Sequence, residues 1–117
     1  MTLRAAAAMG LAACAPAAGP SIDRVEPPAA ARGAQVVVRG ANFCGEGREA
    51  GDGACVTLPP GSVVFGIDPP TARAPVVSWA AEAITVTVPA AAPTGGTEVV
   101  VTVDGRSSGA APFEVLP

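Results

Sequence analysis

The stretch VVSWAAEAITVTVPAAAPTGGTEVVVTV, residues 76–103, carries the clearest structural signal in the chain. Apolar residues alternate with threonines across residues 84–88, and valines recur at every second position across residues 99–103. A period of two is typical of a strand with one buried face. The intervening residues 89–96, PAAAPTGG, are too few for a helix and rich in turn formers, so they predict a connection. We therefore expect two neighbouring strands that share one core face, within an all-β sandwich.

The composition favours short strands and excludes several kinds of chemistry. The chain has 117 residues, and its 14 glycines and 13 prolines separate valine-rich segments, which predicts one small domain. Histidine is absent and all seven cations are arginine, so Ser-His-Asp triads, histidine metal ligands, lysine Schiff bases and P-loops are excluded. A net charge of −3 with scattered arginines argues against nucleic-acid binding.

Further strands are predicted wherever a short apolar segment lies between prolines or glycines. These segments are residues 22–25, 35–39, 63–67 and 75–79, together with a last strand that contains Phe113 and Val115. Asp104-Gly105 predicts a two-residue hairpin turn, because both central positions of a type I′ turn need a positive φ. With the two segments described first, the total is about seven strands.

The N-terminal residues 1–13, MTLRAAAAMGLAA, have the layout of an export signal, with one cation followed by an apolar run too short to span a bilayer. We expect this segment to be disordered or helical. Leu11-Ala12-Ala13-Cys14 resembles the bacterial lipobox, and this resemblance implies a diacylglyceryl-modified Cys14 and an extracytoplasmic, lipid-anchored chain in the cell envelope. The alternatives are an ordinary secretory signal, which would give a secreted protein, and an Ala-rich tail with an incidental thiol. Residues 14–20 predict a flexible tether before a domain at residues 21–117.

The segment PSIDRVEPPAAARGAQVVVRGANF, residues 20–43, resembles the opening of an IPT/TIG domain. This immunoglobulin-like module occurs in plexins, Rel-type transcription factors and bacterial surface proteins. Later motifs follow in the order of the family, namely VVFG at 63–66, VVSW at 76–79, AITVTVP at 83–89, TGGTEVVVTVDG at 94–105 and PFEV at 112–115. The resemblance covers residues 20–116 and implies an immunoglobulin-like β-sandwich.

Two cysteines, Cys44 and Cys55, enclose a glycine-rich loop. Export would place them in an oxidising compartment, so we expect a disulfide between them. The alternative is a calcium site, since Glu46, Glu49 and Asp52 put three carboxylates in the same loop and oxygen ligands suit calcium.

Trp79 is the single tryptophan and offers two interpretations. Its ring could contact a ligand as a sugar-stacking platform, or it could pack beside a core strand, which is what we expect. The acidic residues fall in turns, so paired carboxylates for glycoside hydrolysis are not expected.

The sequence therefore predicts a non-catalytic exported module for binding or spacing, with no cofactor. Its expected partner is an envelope or extracellular protein, and its expected membrane attachment is through a lipid on Cys14. Carbohydrate binding through Trp79 or surface loops is the alternative, and nucleic acid is not an expected partner.

Overall fold

The computed structural model describes residues 19–45, 53–55, 60–68 and 71–117. Within these residues the chain forms ten β-strands and no helix. The strands are β1 (Ser21–Glu26), β2 (Ala29–Ala31), β3 (Gln35–Ala41), β4 (Gly61–Phe65), β5 (Ala72–Arg73), β6 (Val76–Trp79), β7 (Ala83–Thr87), β8 (Gly95–Val103), β9 (Arg106–Ser107) and β10 (Ala111–Leu116). In the same residues, no helix has the length and apolar character needed to cross a membrane.

The strands form two sheets that pack face to face. One sheet has the order β1-β3-β7-β6, and the other has the order β2-β10-β8-β4-β5 with β9 paired to β8. Every pairing is antiparallel except that of β2 with β10. The longer strands occupy the positions ABED and GFC of an immunoglobulin domain. This arrangement confirms the predicted sandwich. The predicted number of about seven strands matches the seven strands of four or more residues, and the other three are shorter.

The two alternating segments described first are both strands, but they lie in different sheets. β7 pairs with β3 and β6, whereas β8 pairs with β4 and β10. The prediction that they are neighbours in one sheet is therefore wrong, and the connection between them crosses from one sheet to the other. Their buried side chains meet in the same core from opposite sides. A period of two shows which face of a strand is buried, but not which strand lies beside it.

The core between the sheets consists mainly of valines with three phenylalanines. Val36 and Val38 are buried and Val37 is half-buried, as the alternation predicts. The rings of Phe65 and Phe113 pack edge to face, with centroids 5.3 Å apart. The largest fully buried side chains are Phe43, Phe65, Ile84, Val36, Val38, Val63, Val86, Val88, Val99, Val101, Val103 and Val115. Each contributes about 1.5–3 kcal/mol when it leaves water.

The first part of the chain contributes one strand to each sheet. β1 pairs with β3, and the chain then passes through Pro27 and Pro28, with a cis Glu26–Pro27 peptide bond, into β2 of the other sheet. The sequence does not predict β2, because alanine is depleted in strands. The strand forms because β10 lies alongside it, with the Glu114 N–H donating to the carbonyl of Pro28 at 3.0 Å.

Three local predictions can be compared with the structure. Asp104 and Gly105 have φ values of 53° and 77° and join β8 to β9, which confirms the hairpin turn. Ile67 lies beyond the end of β4 and is 54% exposed, so the predicted strand ends two residues too late. The tether predicted at residues 14–20 lies outside the described residues except for Gly19 and Pro20, and Pro20 is buried.

Candidate interaction surface at the stapled end of the sandwich

A disulfide between Cys44 and Cys55 closes the base of a loop at one end of the sandwich. The sulfurs are 2.06 Å apart and the Cα atoms 5.0 Å apart, which is ordinary disulfide geometry and confirms the predicted pairing. Both cysteines are buried. We call this end of the molecule, formed by Gly19, Pro20 and residues 41–45, 53–55, 80–82 and 103–106, the stapled end.

Trp79 supports the stapled end from inside the sandwich. Its side chain is 5% exposed, and its indole N–H donates to the carbonyl of Phe43 at 2.7 Å. The residue is the last of β6, an edge strand whose preceding residues Val76, Val77 and Ser78 are exposed. A ring so deeply buried offers no face to a sugar, so the geometry favours packing and does not fit the ligand-contact interpretation.

Backbone hydrogen bonds tie the base of the stapled loop to the β6–β7 turn. The Ala81 N–H donates to the carbonyl of Gly53 at 2.8 Å, and the Phe43 N–H donates to the carbonyl of Ala81 at 3.1 Å. Ala54 also forms an isolated antiparallel bridge with Ala80. The residues beside both cysteines are therefore held by the same turn.

A small cleft lies between the N-terminal arm, the start of the stapled loop and the β8–β9 turn. Its volume is about 130 Å³, and its lining residues are Gly19, Pro20, Asn42, Gly45, Val103, Asp104 and Arg106. The Asn42 side-chain amide donates to the carbonyl of Gly19 at 3.3 Å. A Cβ on Gly45, whose φ is +83°, would lie 2.6 Å from Asp104 Oδ2, so only glycine fits there. This cleft has room for a small polar group and little more.

The opposite end of the sandwich has a wider and more open recess. We call this end, formed by residues 66–68 and 93–96, the distal end. The recess has a volume of about 460 Å³ and is lined by Pro28, Gly96, Thr97, Glu98, Pro112, Phe113 and Glu114. Glu98 and Glu114 are both exposed on adjacent strands, and the lining contains no cation. A Cβ on Gly96 would meet nothing within 4 Å, so the glycine leaves open space in this recess.

The outer face of the other sheet carries an ion-paired network around Glu26. Arg39 Nε lies 2.9 Å from Glu26 Oε1, and Arg24 Nε lies 2.5 Å from Glu26 Oε2. The hydrogen bonds from Arg39 and then Arg24 hold the pKa of Glu26 below its ordinary value, and the hydrogen bond with Glu26 raises the pKa of Arg24. These side chains are largely exposed, so the network contributes little to stability.

The remaining sequence-predicted site residues lie outside the described part of the chain. They are Cys14, predicted to carry lipid, and Glu46, Glu49 and Asp52, the alternative calcium ligands. Within the described residues, no group of three or more His, Cys, Asp or Glu side chains is placed to hold a metal ion.

Sequence reasoning missed the cleft at the stapled end. Asn42 belongs to residues 20–43, the segment that opens the family resemblance, but its contact with Gly19 joins positions far apart in sequence. An asparagine that follows a strand is a signal for a left-handed residue, and Asn42 has a φ of 63°. Such a signal predicts a turn, but it does not identify the segment that will pack against it.

The comparisons with known proteins agree with the fold. A sequence model of the IPT/TIG domain family matches residues 20–115. No curated protein sequence matches the chain.

Several solved structures from Bacteroides thetaiotaomicron VPI-5482 are similar in fold. A structural genomics protein of unknown function superposes with a TM-score of 0.67 and 18% identity over 86% of this chain. An auxiliary nutrient binding protein gives a TM-score of 0.54 and 18% identity over 88% of this chain. A third protein, described as "Putative phosphatase", gives a TM-score of 0.53 and 16% identity over 84% of this chain. This chain spans only 22%, 22% and 18% of those proteins, and at these identities the likeness concerns the fold alone.

Proposed function

Because the chain belongs to the IPT/TIG domain family, we propose that it is a non-catalytic binding module of the cell envelope, attached to the membrane by a lipid on Cys14. The observation that carries the proposal is the buried Cys44–Cys55 disulfide. Disulfides form and persist in oxidising, extracytoplasmic compartments. The export-like residues 1–13 and the lipobox-like segment before Cys14 support the same compartment.

The polar groups of the described residues support a non-catalytic role. The pKa of Glu26 is lowered by its two arginine partners, whereas a general acid working near neutral pH needs a raised one. The hydroxyl of the buried Ser108 accepts from the Val101 N–H at 2.9 Å and donates to the carbonyl of Gly109 at 2.8 Å. Its hydrogen bonds hold two neighbouring segments together, so its role is structural.

The expected partner is an envelope or extracellular protein that contacts the surface of the sandwich. In an immunoglobulin-like sandwich the side chains between the sheets form the core, so recognition falls to the ends and the outer faces. The stapled end has a base held by covalent and hydrogen bonds, and the N-terminal arm enters the domain there, so the surfaces proposed for the partner are the distal end and the outer faces. Nucleic acid is not a proposed partner, given the net charge of −3.

Membrane fractionation of Cys14→Ser tests the proposal. We expect the wild type in the membrane fraction and in the detergent phase after phase partitioning, and the variant in the soluble fraction. Ala17→Ser, which changes the same segment but keeps the thiol, is the matched control and should fractionate like the wild type. A soluble wild type, or a Cys14→Ser protein that stays in the membrane, would contradict the lipid anchor.

Carbohydrate, the alternative ligand from the sequence, is the second candidate, and one protein of similar fold is described as an auxiliary nutrient binding protein. The buried Trp79 does not suit sugar stacking, so the proposed contact surface is the recess around Glu98. Affinity electrophoresis through gels that contain polysaccharides would detect binding as retardation. Glu98→Ala should reduce the retardation and Glu82→Ala at the stapled end should not. If no polysaccharide retards the wild type, this candidate is wrong.

A further inference from the structure

The N-terminal arm joins the sandwich at the stapled end. The carbonyl of Gly19 accepts from the Asn42 side chain at 3.3 Å, and Pro20 is buried. A Cβ added to Gly19 would lie 3.2 Å from Arg106 Cβ, so the arm also rests closely on β9. The next residue, Ser21, pairs with Ala41 at the start of the β1–β3 ladder. The chain therefore enters the domain beside the disulfide.

The opposite end of the domain lies far from this point of entry, because the strands run from one end to the other. β8 runs from Gly95 at the distal end to Val103 at the stapled end. At about 3.3 Å per residue, its length separates the two ends by about 27 Å. β10 runs the other way, with Val115 opposite Gly95, so the last strand finishes at the distal end. Entry and exit therefore lie at opposite ends of the sandwich.

The segment between the proposed anchor and the domain is short. Cys14 lies five residues before Gly19. Five residues reach at most about 18 Å when fully extended. This length is smaller than the distance between the two ends of the sandwich.

From these lengths we propose that the stapled end faces the lipid surface and the distal end points away from the membrane. The proposal rests on the lipid anchor proposed above. It means that the described residues of the stapled end, among them Cys44, Gly45, Gly53 and Cys55, are the part of the sandwich nearest the bilayer headgroups. A partner protein that approaches from outside meets the distal recess with Glu98 and Glu114, and the exposed Ile67 lines a neighbouring pocket together with Glu98.

The composition of the chain allows this orientation to be measured directly. Cys14 is the one cysteine outside the disulfide, so it can be coupled to a maleimide-headgroup lipid in vesicles. The chain contains no lysine, so Glu82→Lys at the stapled end or Thr94→Lys at the distal end supplies a single side-chain amine for a fluorescent dye. Both positions are exposed. The labelled wild type, which reacts only at its α-amino group, gives the background.

A quencher attached to lipid headgroups then reports the height of each dye above the membrane. We expect quenching of the Glu82→Lys dye to exceed that of the Thr94→Lys dye at least about twofold, because the two ends differ by about 27 Å. Equal quenching would mean that the domain lies flat, and stronger quenching at the distal end would mean that it is inverted. Either result overturns the proposal.

A longer tether provides a second variant. A long Gly/Ser insertion after Ala18 should reduce the difference between the two dyes, because the tether would no longer restrict the domain. An unchanged difference would show that tether length does not set the orientation, and would also overturn the proposal. Chemical coupling supplies the anchor in these vesicles, so the result does not depend on whether cells lipidate Cys14. Fractionation of Cys14→Ser answers that question separately.

Discussion

Removal of the staple by the double substitution Cys44→Ala/Cys55→Ala should lower the free energy of unfolding by about 3 kcal/mol. The disulfide joins residues with a sequence separation of 11, and in the chain-entropy model closing a loop of this length removes about 3 kcal/mol of freedom from the unfolded chain. Both cysteines are buried, so the lost sulfur contacts act in the same direction. For a domain of about 100 residues, the corresponding decrease in Tm is about 10–20 °C.

Urea denaturation followed by tryptophan fluorescence measures this difference. Trp79 is the single tryptophan and lies next to the staple, so its emission changes when the core opens. The variant should unfold at a lower urea concentration. Its m-value should equal or slightly exceed that of the wild type, because an unfolded chain without the cross-link exposes more surface.

A loss below about 1 kcal/mol would refute this reasoning, since it would be only a third of the loop-closure estimate. Such a result would mean that the hydrogen bond between Ala81 and Gly53 and the bridge between Ala54 and Ala80 already hold the loop base without the covalent link. It would also mean that the disulfide is not what fixes the base of the stapled end.

Four other substitutions test the packing and electrostatics. Trp79→Phe should cost about 1–3 kcal/mol because the buried carbonyl of Phe43 loses its donor. The variant has no tryptophan, so urea denaturation is followed by circular dichroism, and an unchanged midpoint would contradict the buried hydrogen bond. Gly40→Ala should prevent folding or shift the chain out of register, since its Cβ would lie 1.9 Å from a backbone oxygen and 2.7 Å from the Phe43 ring. Gly96→Ala, whose Cβ meets nothing within 4 Å, is the control and should leave Tm unchanged or slightly higher. Thermal melting followed by circular dichroism compares the two variants, and equal Tm values would contradict the prediction. The pKa of Glu26 is lowered on folding, so its stabilising contribution is present above the ordinary value of 4.5 and lost as pH falls through the lower folded value. Glu26→Gln should therefore differ from the wild type in unfolding free energy near neutral pH and converge with it in acid, and a difference that grew in acid would reverse the sign of the argument.

The sequence was most informative where a local pattern determines the outcome. Alternation correctly identified the buried residues of β7 and β8, because neighbouring side chains on a strand must point to opposite faces. Asp104-Gly105 identified its own turn, because that turn requires backbone angles that few residues adopt. Cys44 and Cys55 were identified as a pair because they lie close in sequence and are the two cysteines within the domain.

Features that depend on contacts distant in sequence were missed. The placement of β7 and β8 in different sheets depends on which strands flank each of them, and periodicity carries no such information. β2 is a strand only because β10 lies beside it. The cleft at the stapled end depends on the contact between Asn42 and Gly19, which brings the N-terminal arm against the disulfide-bearing loop.

Peptide mapping by mass spectrometry, on protein purified from its own cell envelope without reductant, tests the proposed anchor and the staple together. We expect a mature chain that begins at Cys14 and carries lipid there, together with a cross-linked peptide that joins Cys44 to Cys55. A chain that retains residues 1–13, with an unmodified Cys14 and free thiols at the other two cysteines, would contradict the account of an exported, membrane-anchored binding module.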